Sequence, residues 1–342
     1  MASISLSRIA SFVLGFEKKV FCIGADVHKK SYSIALRRAD DKFLTWTCSA
    51  SPDLLVDQIK RLGVRIGAVA YEAGPTGFSL ARALRCAGIN VIVAAPSRIP
   101  RPVTAGAKSD RLDCIKLSAY ASKGMLTTIA VPTVEEEARR ALLRRRHKAV
   151  DAVRRCKQRI KSQLLCQGIE PPKELGNWSK GAPAALRKLT MEPGFGITLD
   201  SLLRELAFFQ KELCRLEREL VRMVKDRKCR ANMGYLKSVP GVGSVVAATY
   251  SLELFRPERF QVADQVSSYI GLAPMVRQSG QSRGSGRLVP VGQSRLRSLL
   301  IEAAWNWKRK DPYAAALYNK FVSRTGIAQK AICAVARKLA II

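Results

Sequence analysis

Histidine is nearly missing from this chain, and carboxylates are scarce. Only His28 and His147 occur among 342 residues. That removes the raw material for His-rich zinc sites and for Ser-His or Cys-His nucleophile activation. The nine cysteines are odd in number and scattered without a CxxC pair, which excludes a disulfide framework and fits a reduced, cytoplasmic chain. No apolar run reaches the roughly 18 residues of a membrane span, so no membrane is expected among the partners. The stretch from Met1 to Phe16 is broken by serines and Arg8 and lacks a small-residue cleavage site, so it reads as an arm and not an export signal.

The charge that is present is of one sign. Lys+Arg 59 against Asp+Glu 27 gives a formal net charge of +32 and a pI near 10.3. This exceeds what solubility needs, so the expected partner is a polyanion. A hydrophobic fraction of 47% supplies real cores and weighs against a simple nucleic-acid packing protein.

Four carboxylates stand out against that charge. From Val20 the chain alternates short β-like runs (Val20 to Ile23, Ser31 to Leu36, Ile66 to Tyr71, Val91 to Ala95) with a helical run from Phe78 to Cys86, which predicts an α/β domain. Phe21 to Ala25 delivers Asp26 to the end of a buried strand, and Ile66 to Tyr71 does the same for Glu72. Lys108 to Asp113 opens a helix in which a spacing of three puts Asp110 and Asp113 on one face. Two strand carboxylates and two helix carboxylates can form an oxygen cage for Mg2+, and a pair of such ions about 4 Å apart clamps the oxygens of a phosphodiester. With so little histidine, the metal is expected to be held by oxygen. Taken singly, each carboxylate also suits a strand end, a turn or a helix cap.

The middle of the chain is helical. A helix starts near Thr133 and Glu136 and runs to Gly168, with a densely basic face that includes Arg144, Arg145 and Arg155. A second carries a heptad seam through Leu199, Leu202, Leu206, Phe209, Leu213, Leu216, Leu220 and Met223. The pair is expected to form an antiparallel hairpin that also dimerises. The basic face reads as a nucleic-acid track, with a solvated helix surface as the plain alternative.

From Tyr235 the turn Val239-Pro240-Gly241-Val242-Gly243 between two short helices looks like a helix-hairpin-helix, in which backbone N–H groups contact phosphate. Its glycines also suit any turn that needs positive φ. The segment Arg277 to Arg287 then reads as a Gly/Ser/Arg loop suited to phosphate contact.

In this order the motifs resemble the DEDD transposases of bacterial insertion sequences, the bridge-RNA-guided recombinases related to the pilin-gene invertases. The carriers are Gly24-Ala25-Asp26-Val27-His28-Lys29, Tyr71-Glu72-Ala73-Gly74, Asp110-Arg111-Leu112-Asp113, the Val239 to Gly243 turn, and Gly271-Leu272-Ala273-Pro274 with Gln278-Ser279-Gly280. The likeness implies a RuvC-like, RNase H-type α/β domain, a helical coiled-coil linker and a mostly α C-terminal transposase domain. The expected segments are an arm at 1–19, the RuvC-like domain at 20–130, the linker at 131–230 and the transposase domain at 231–342. It implies that Asp26, Glu72, Asp110 and Asp113 bind Mg2+, with Mn2+ able to substitute, and that Ser279 is a nucleophile forming a phosphoserine link to DNA. Candidate nucleic-acid contacts are Lys108, Arg111, Arg144, Arg145, Arg155, Gly241, Gly243, Arg277, Arg283 and Arg287. Target and donor duplex DNA, a non-coding guide RNA and a homodimer pairing into a tetramer are the implied partners, in the bacterial cytoplasm. A division of labour in which base pairing supplies specificity suits a protein that mostly meets backbone. Two departures from the family pattern are Val289-Pro290-Val291-Gly292, where a more polar stretch is expected, and an ending inside an apolar helical run. The second reading is a metal-dependent nuclease of the Holliday-junction-resolvase type acting through water.

Overall fold

The computed structural model describes residues 6–100, 110–225, 227–275, 277–279, 282–284, 288 and 292–342. These cluster into two units, Met1–Thr133 and Val134–Ile342.

The first unit is built on a five-stranded mixed sheet. Strand β1 (Val20–Val27) pairs antiparallel with β2 (Ser31–Arg37), which pairs antiparallel with β3 (Phe43–Ser49). On its other side β1 runs parallel to β4 (Arg65–Glu72), and β4 parallel to β5 (Val91–Ala94), giving the order β3-β2-β1-β4-β5. The period of two explains β1: Phe21, Ile23 and Ala25 are fully buried in the main core, which leaves Gly24 and Asp26 to the opposite face.

Helices supply the cover. Helix α1 (Leu6–Val13), in the segment expected to be an arm, buries Ile9 and Val13 in the same core, and Arg38 stacks its guanidinium 3.9 Å from the Phe16 ring centre. Helix α2 (Pro52–Arg61) starts where Ser51 accepts from the Leu54 backbone N–H at 3.4 Å, with proline in its first turn. It returns the chain to β4, and α3 (Ser79–Cys86) does the same for β5. Helix α4 (Asp110–Ser122) lies against β1 and β2, where Arg37, buried, reaches Ser118 Oγ at 3.1 Å and the Ile115 carbonyl at 3.3 Å.

The second unit is mostly helical. Its frame is α5 (Val134–Cys166) and, beyond the short α6 (Ala182–Arg187), α7 (Pro193–Val224). Arg146 pairs with Glu217 at 2.6 Å and Arg159 with Glu205 at 3.0 Å, so the number rises along one helix as it falls along the other. The two helices are therefore antiparallel, as the seam implied, with Cys156, Ile160 and Leu164 packed against Leu199, Leu203 and Leu206. Helix α8 (Arg227–Ser238) and α9 (Ser244–Leu254) follow, joined by the Val239 to Gly243 turn, then α10 (Ala263–Ile270). Strands β6 (Arg277–Ser279) and β7 (Ser282–Gly284) form a two-stranded ladder, and α11 (Ser294–Lys310), α12 (Pro312–Thr325) and α13 (Ala328–Leu339) close a core around Leu300, Trp307, Ile332 and Val335. No described helix is long and apolar enough to cross a membrane.

Candidate metal centre and nucleic-acid interface

Strand β1 and helix α4 together place the carboxylates. Gly24 has no side chain to hold α4 away, so the helix backbone at Cys114 and Ser118 sits directly on the strand. Asp26, two residues on, shares that face of β1, and His28 follows at the same period. Asp110 and Asp113 occupy the first turn of α4.

The contacts converge on the imidazole. His28 Nε2 lies 3.1 Å from Asp26 Oδ2 and 3.4 Å from Asp110 Oδ2. One ligand atom from each of Asp26, His28 and Asp110 falls within 4.8 Å of the others, a spacing able to hold a metal ion. Burial pushes the Asp26 carboxyl up from its ordinary range; His28 opposes this, while Asp110 and Asp113 add to it. A carboxylate crowded by burial and like charge gains from a neighbouring cation, so the donor set fits a divalent ion.

The set that assembles differs from an all-oxygen cage. His28 joins it, and neither Glu72 nor Asp113 belongs to the group of three. Asp113 lies near enough to act on the charge of Asp26, and its own carboxylate sits 3.7 Å from Lys116 Nζ. Glu72 ends β4 and is exposed; the pairing of Ala25 with Tyr71 makes Asp26 and Glu72 the next residues on two adjacent parallel strands. The sequence signal for His28 was its spacing of two from Asp26, which a tally of histidines conceals.

Cys114 is buried beneath this site, where the thiol form is favoured. Burial, with the charge of Asp26 next, pushes its thiol up to about 11.

The expected nucleic-acid contacts fall into separate places. Arg111 is exposed at the start of α4, and Arg145 and Arg155 are exposed on α5. Arg144 is engaged within the protein: with Arg140 it grips the buried Glu253, at 2.9 Å and 3.0 Å. Gly241 has φ +93° and packs against the backbone of α11 at Trp307 and Ala303, so its glycine is required by the fold. Gly243, at the N-terminus of α9, has nothing within 4 Å of an added Cβ. Ser279 ends β6 opposite Ser282, and Gln278 pairs with Arg283, so this segment is a ladder where a loop was expected. Its polar residues carry no apolar alternation to betray a strand. Arg277 and Arg283 belong to the same ladder; Lys108, Ser285 and Arg287 lie outside the described residues.

A basic protein with a carboxylate and imidazole site on a mixed sheet has the makings of a metal-assisted enzyme for a polyanion. Comparison with known proteins makes the class definite. Residues 233–319 match the Transposase IS116/IS110/IS902 family. Transposase y4qE of Sinorhizobium fredii is 30% identical over 84% of this chain and 71% of its own length. The transposase for insertion sequence element IS1533 of Leptospira borgpetersenii is 26% identical over 84% of this chain and 85% of its own. The chain belongs to this family of insertion-sequence transposases, enzymes that act on DNA. Among solved structures, Thermus thermophilus RuvC bound to a Holliday junction substrate is similar at 12% identity over 32% of this chain and 99% of its own, with a TM-score of 0.25, too low to bear on the fold.

Proposed function

We propose that the chain excises and inserts its own insertion sequence, cutting DNA at a divalent-metal site on a RuvC-like α/β domain and holding the cut strand through Ser279. The observation that carries this reading is the convergence of Asp26, His28 and Asp110 on a protein of net charge +32. Mg2+, or Mn2+ in its place, would sit among those residues, with Asp113 and Glu72 contributing charge at the rim. When bound, the ion supplies charge neutralisation at the scissile phosphate. Asp26, His28 and Asp110 would hold it, and Arg37 ties α4 to the sheet through Ser118 and the Ile115 carbonyl. At Ser279 an Oγ–P bond forms as a bridging P–O bond breaks; the serine proton passes to solvent, and the leaving sugar oxygen takes up a proton from water and departs as a free hydroxyl. Arg277, Arg283 and Arg287 are the cations suited to the extra phosphate charge.

Target and donor choice would come from a non-coding guide RNA pairing with DNA, while the protein meets backbone through Lys108, Arg111, Arg145 and Arg155, and through the turn at Gly243. In this reading the α5 and α7 hairpin is the linker between the α/β domain and the transposase domain, and homodimers pair into a tetramer in the bacterial cytoplasm.

The test is trapping of protein–DNA adducts with donor and target DNA and the RNA that copurifies from cells carrying the flanking sequence. Wild type should give an adduct that survives denaturation, and Ser279→Ala and Asp26→Asn should give none. Cleavage without adduct in Ser279→Ala would instead indicate a resolvase-like nuclease using water. An adduct lost only in Ser282→Ala would move the nucleophile.

A further inference from the structure

One flank of α5, beside its seam with α7, carries a feature that the metal and serine chemistry does not use. Val150, Val153, Arg154, Lys157 and Lys161 recur at steps of three and four, so they form one stripe along the helix. Trp178 lies beside that stripe, and together they line an open groove of about 310 Å³. This is the size of a small-ligand pocket. Its lining is mostly apolar and includes the two valines, the indole and Gln158, with the cationic side chains of Arg154, Lys157 and Lys161 among the same residues.

Trp178 is held there against its backbone preference. Its φ is +50°, a region that bulky residues avoid. The flanking chain enforces this: Leu175 and Ala182 are buried in the hairpin core, Trp178 N–H donates to the Leu175 carbonyl at 3.4 Å, and Ser179 N–H donates to the Glu174 carbonyl at 3.1 Å. The indole is thus presented to the stripe by a fixed loop. Lys157 Nζ rests 5.0 Å from its ring centre, a cation–π contact on one face of the indole.

An aromatic face beside an apolar groove, with cations among its lining, fits a flat apolar ring that carries phosphate on its edge. We propose that this pocket seats one unstacked base of a single-stranded nucleic acid, with the base on Trp178 and Val153 and the flanking phosphates on Arg154, Lys157 and Lys161. A duplex cannot use it, because its bases are stacked on each other and only its phosphates reach the cations. The seat does not depend on the carboxylate site or on Ser279.

The experiment uses the full wild-type chain and short single-stranded RNA and DNA probes carrying one 5-iodopyrimidine, irradiated and mapped by mass spectrometry. A crosslink at Trp178 is expected, and the more efficient probe identifies the strand. In parallel, Trp178→Ala should weaken single-strand binding about fivefold or more while changing duplex binding less than about twofold, and Trp178→Phe should keep most of the affinity. Crosslinks confined to other segments would overturn the proposal even if the alanine variant failed to fold. So would equal losses for single strand and duplex in a folded Trp178→Ala protein, which would leave only charge attraction by the stripe.

Discussion

Gly24 on β1 and Cys114 on α4 meet backbone to backbone: a Cβ on Gly24 would overlap the Cys114 carbonyl oxygen and the Ser118 nitrogen. Neither partner can yield by turning a side chain, so the missing methyl sets how closely α4 rides on the sheet. The site depends on that distance because Asp26 is on the strand and Asp110 on the helix. Gly24→Ala should therefore cost about 1–3 kcal/mol of stability as an overpacked core position and separate the two carboxylates. Chemical denaturation and binding of Mn2+ followed by electron paramagnetic resonance check both effects. A Gly24→Ala protein with wild-type stability and metal affinity would refute this account of the seating.

His28 changes which cation suits the site. Two carboxylates alone suit hard ions such as Mg2+, whereas an imidazole adds more to the binding of transition ions, Mn2+ the least of them, than to that of Mg2+. With Nε2 at 3.1 Å and 3.4 Å from the two carboxylates, His28→Ala should weaken Mn2+ binding about tenfold and Mg2+ binding much less. Nitrogen coupling in the pulsed spectrum of bound Mn2+ gives the direct signature, and its absence in wild type would remove His28 from the ligand set.

Two members of the assembled group, Asp26 and Asp110, stood among the carboxylates read from the chain, and what stayed unreadable has physical causes. Asp26 and Glu72 were placed by the buried runs before them, and Asp110 and Asp113 by helical spacing, because burial and periodicity leave local marks. Strand β3 and helix α2 escaped notice: Phe43–Ser49 is half polar at the sheet edge, and Ser51-Pro52-Asp53 marks a start that no long apolar stripe follows. The engagement of Arg144 was invisible because Glu253 is 109 residues away. The role of Gly24 was equally hidden, since the residue it admits lies on another element. Sequence pattern reports what a residue needs nearby, and tertiary contact decides which distant group supplies it.

Glu253 is a buried charge in unit two, neutralised by Arg140 and Arg144. Burial pushes its carboxyl up, Arg144 and Arg140 pull it down, and the two guanidiniums prevail. Removing one member of a buried ionic cluster leaves the others uncompensated, at about 3–5 kcal/mol when all are buried. Arg144 is more than half exposed and water reclaims part of that loss, so Glu253→Gln should destabilise the protein by about 1–3 kcal/mol. Urea unfolding measures it. Arg144→Ala should cost less than Glu253→Gln, because Arg140 still neutralises the carboxylate; the reverse order would mean that Arg144 serves mainly in packing.

His147 makes stability depend on pH in the acid range. Its ring is buried on α5, with Nε2 3.4 Å from Thr249 Oγ1, whose hydroxyl donates to the Val245 carbonyl at 2.7 Å. Burial first, then the charges of Arg295 and Arg146, push the imidazole down to about 4, with Glu253 and Asp151 opposing. The unfolded chain binds a proton at the ordinary value near 6.5, so it takes up protons before the folded protein does. The stability tied to the neutral ring is therefore complete above about pH 6.5, falls as pH drops from there toward 4, and levels off below. The total is about 2 kcal/mol after allowance for water near the ring. His147→Gln keeps a polar partner for Thr249 and carries no titrating proton. Unfolding free energies of the two proteins should run parallel above pH 7 and converge or cross between pH 6.5 and 4.5, as wild type alone loses the neutral-ring contribution. Curves that stay parallel through that window would show that His147 titrates alike in the folded and unfolded chain.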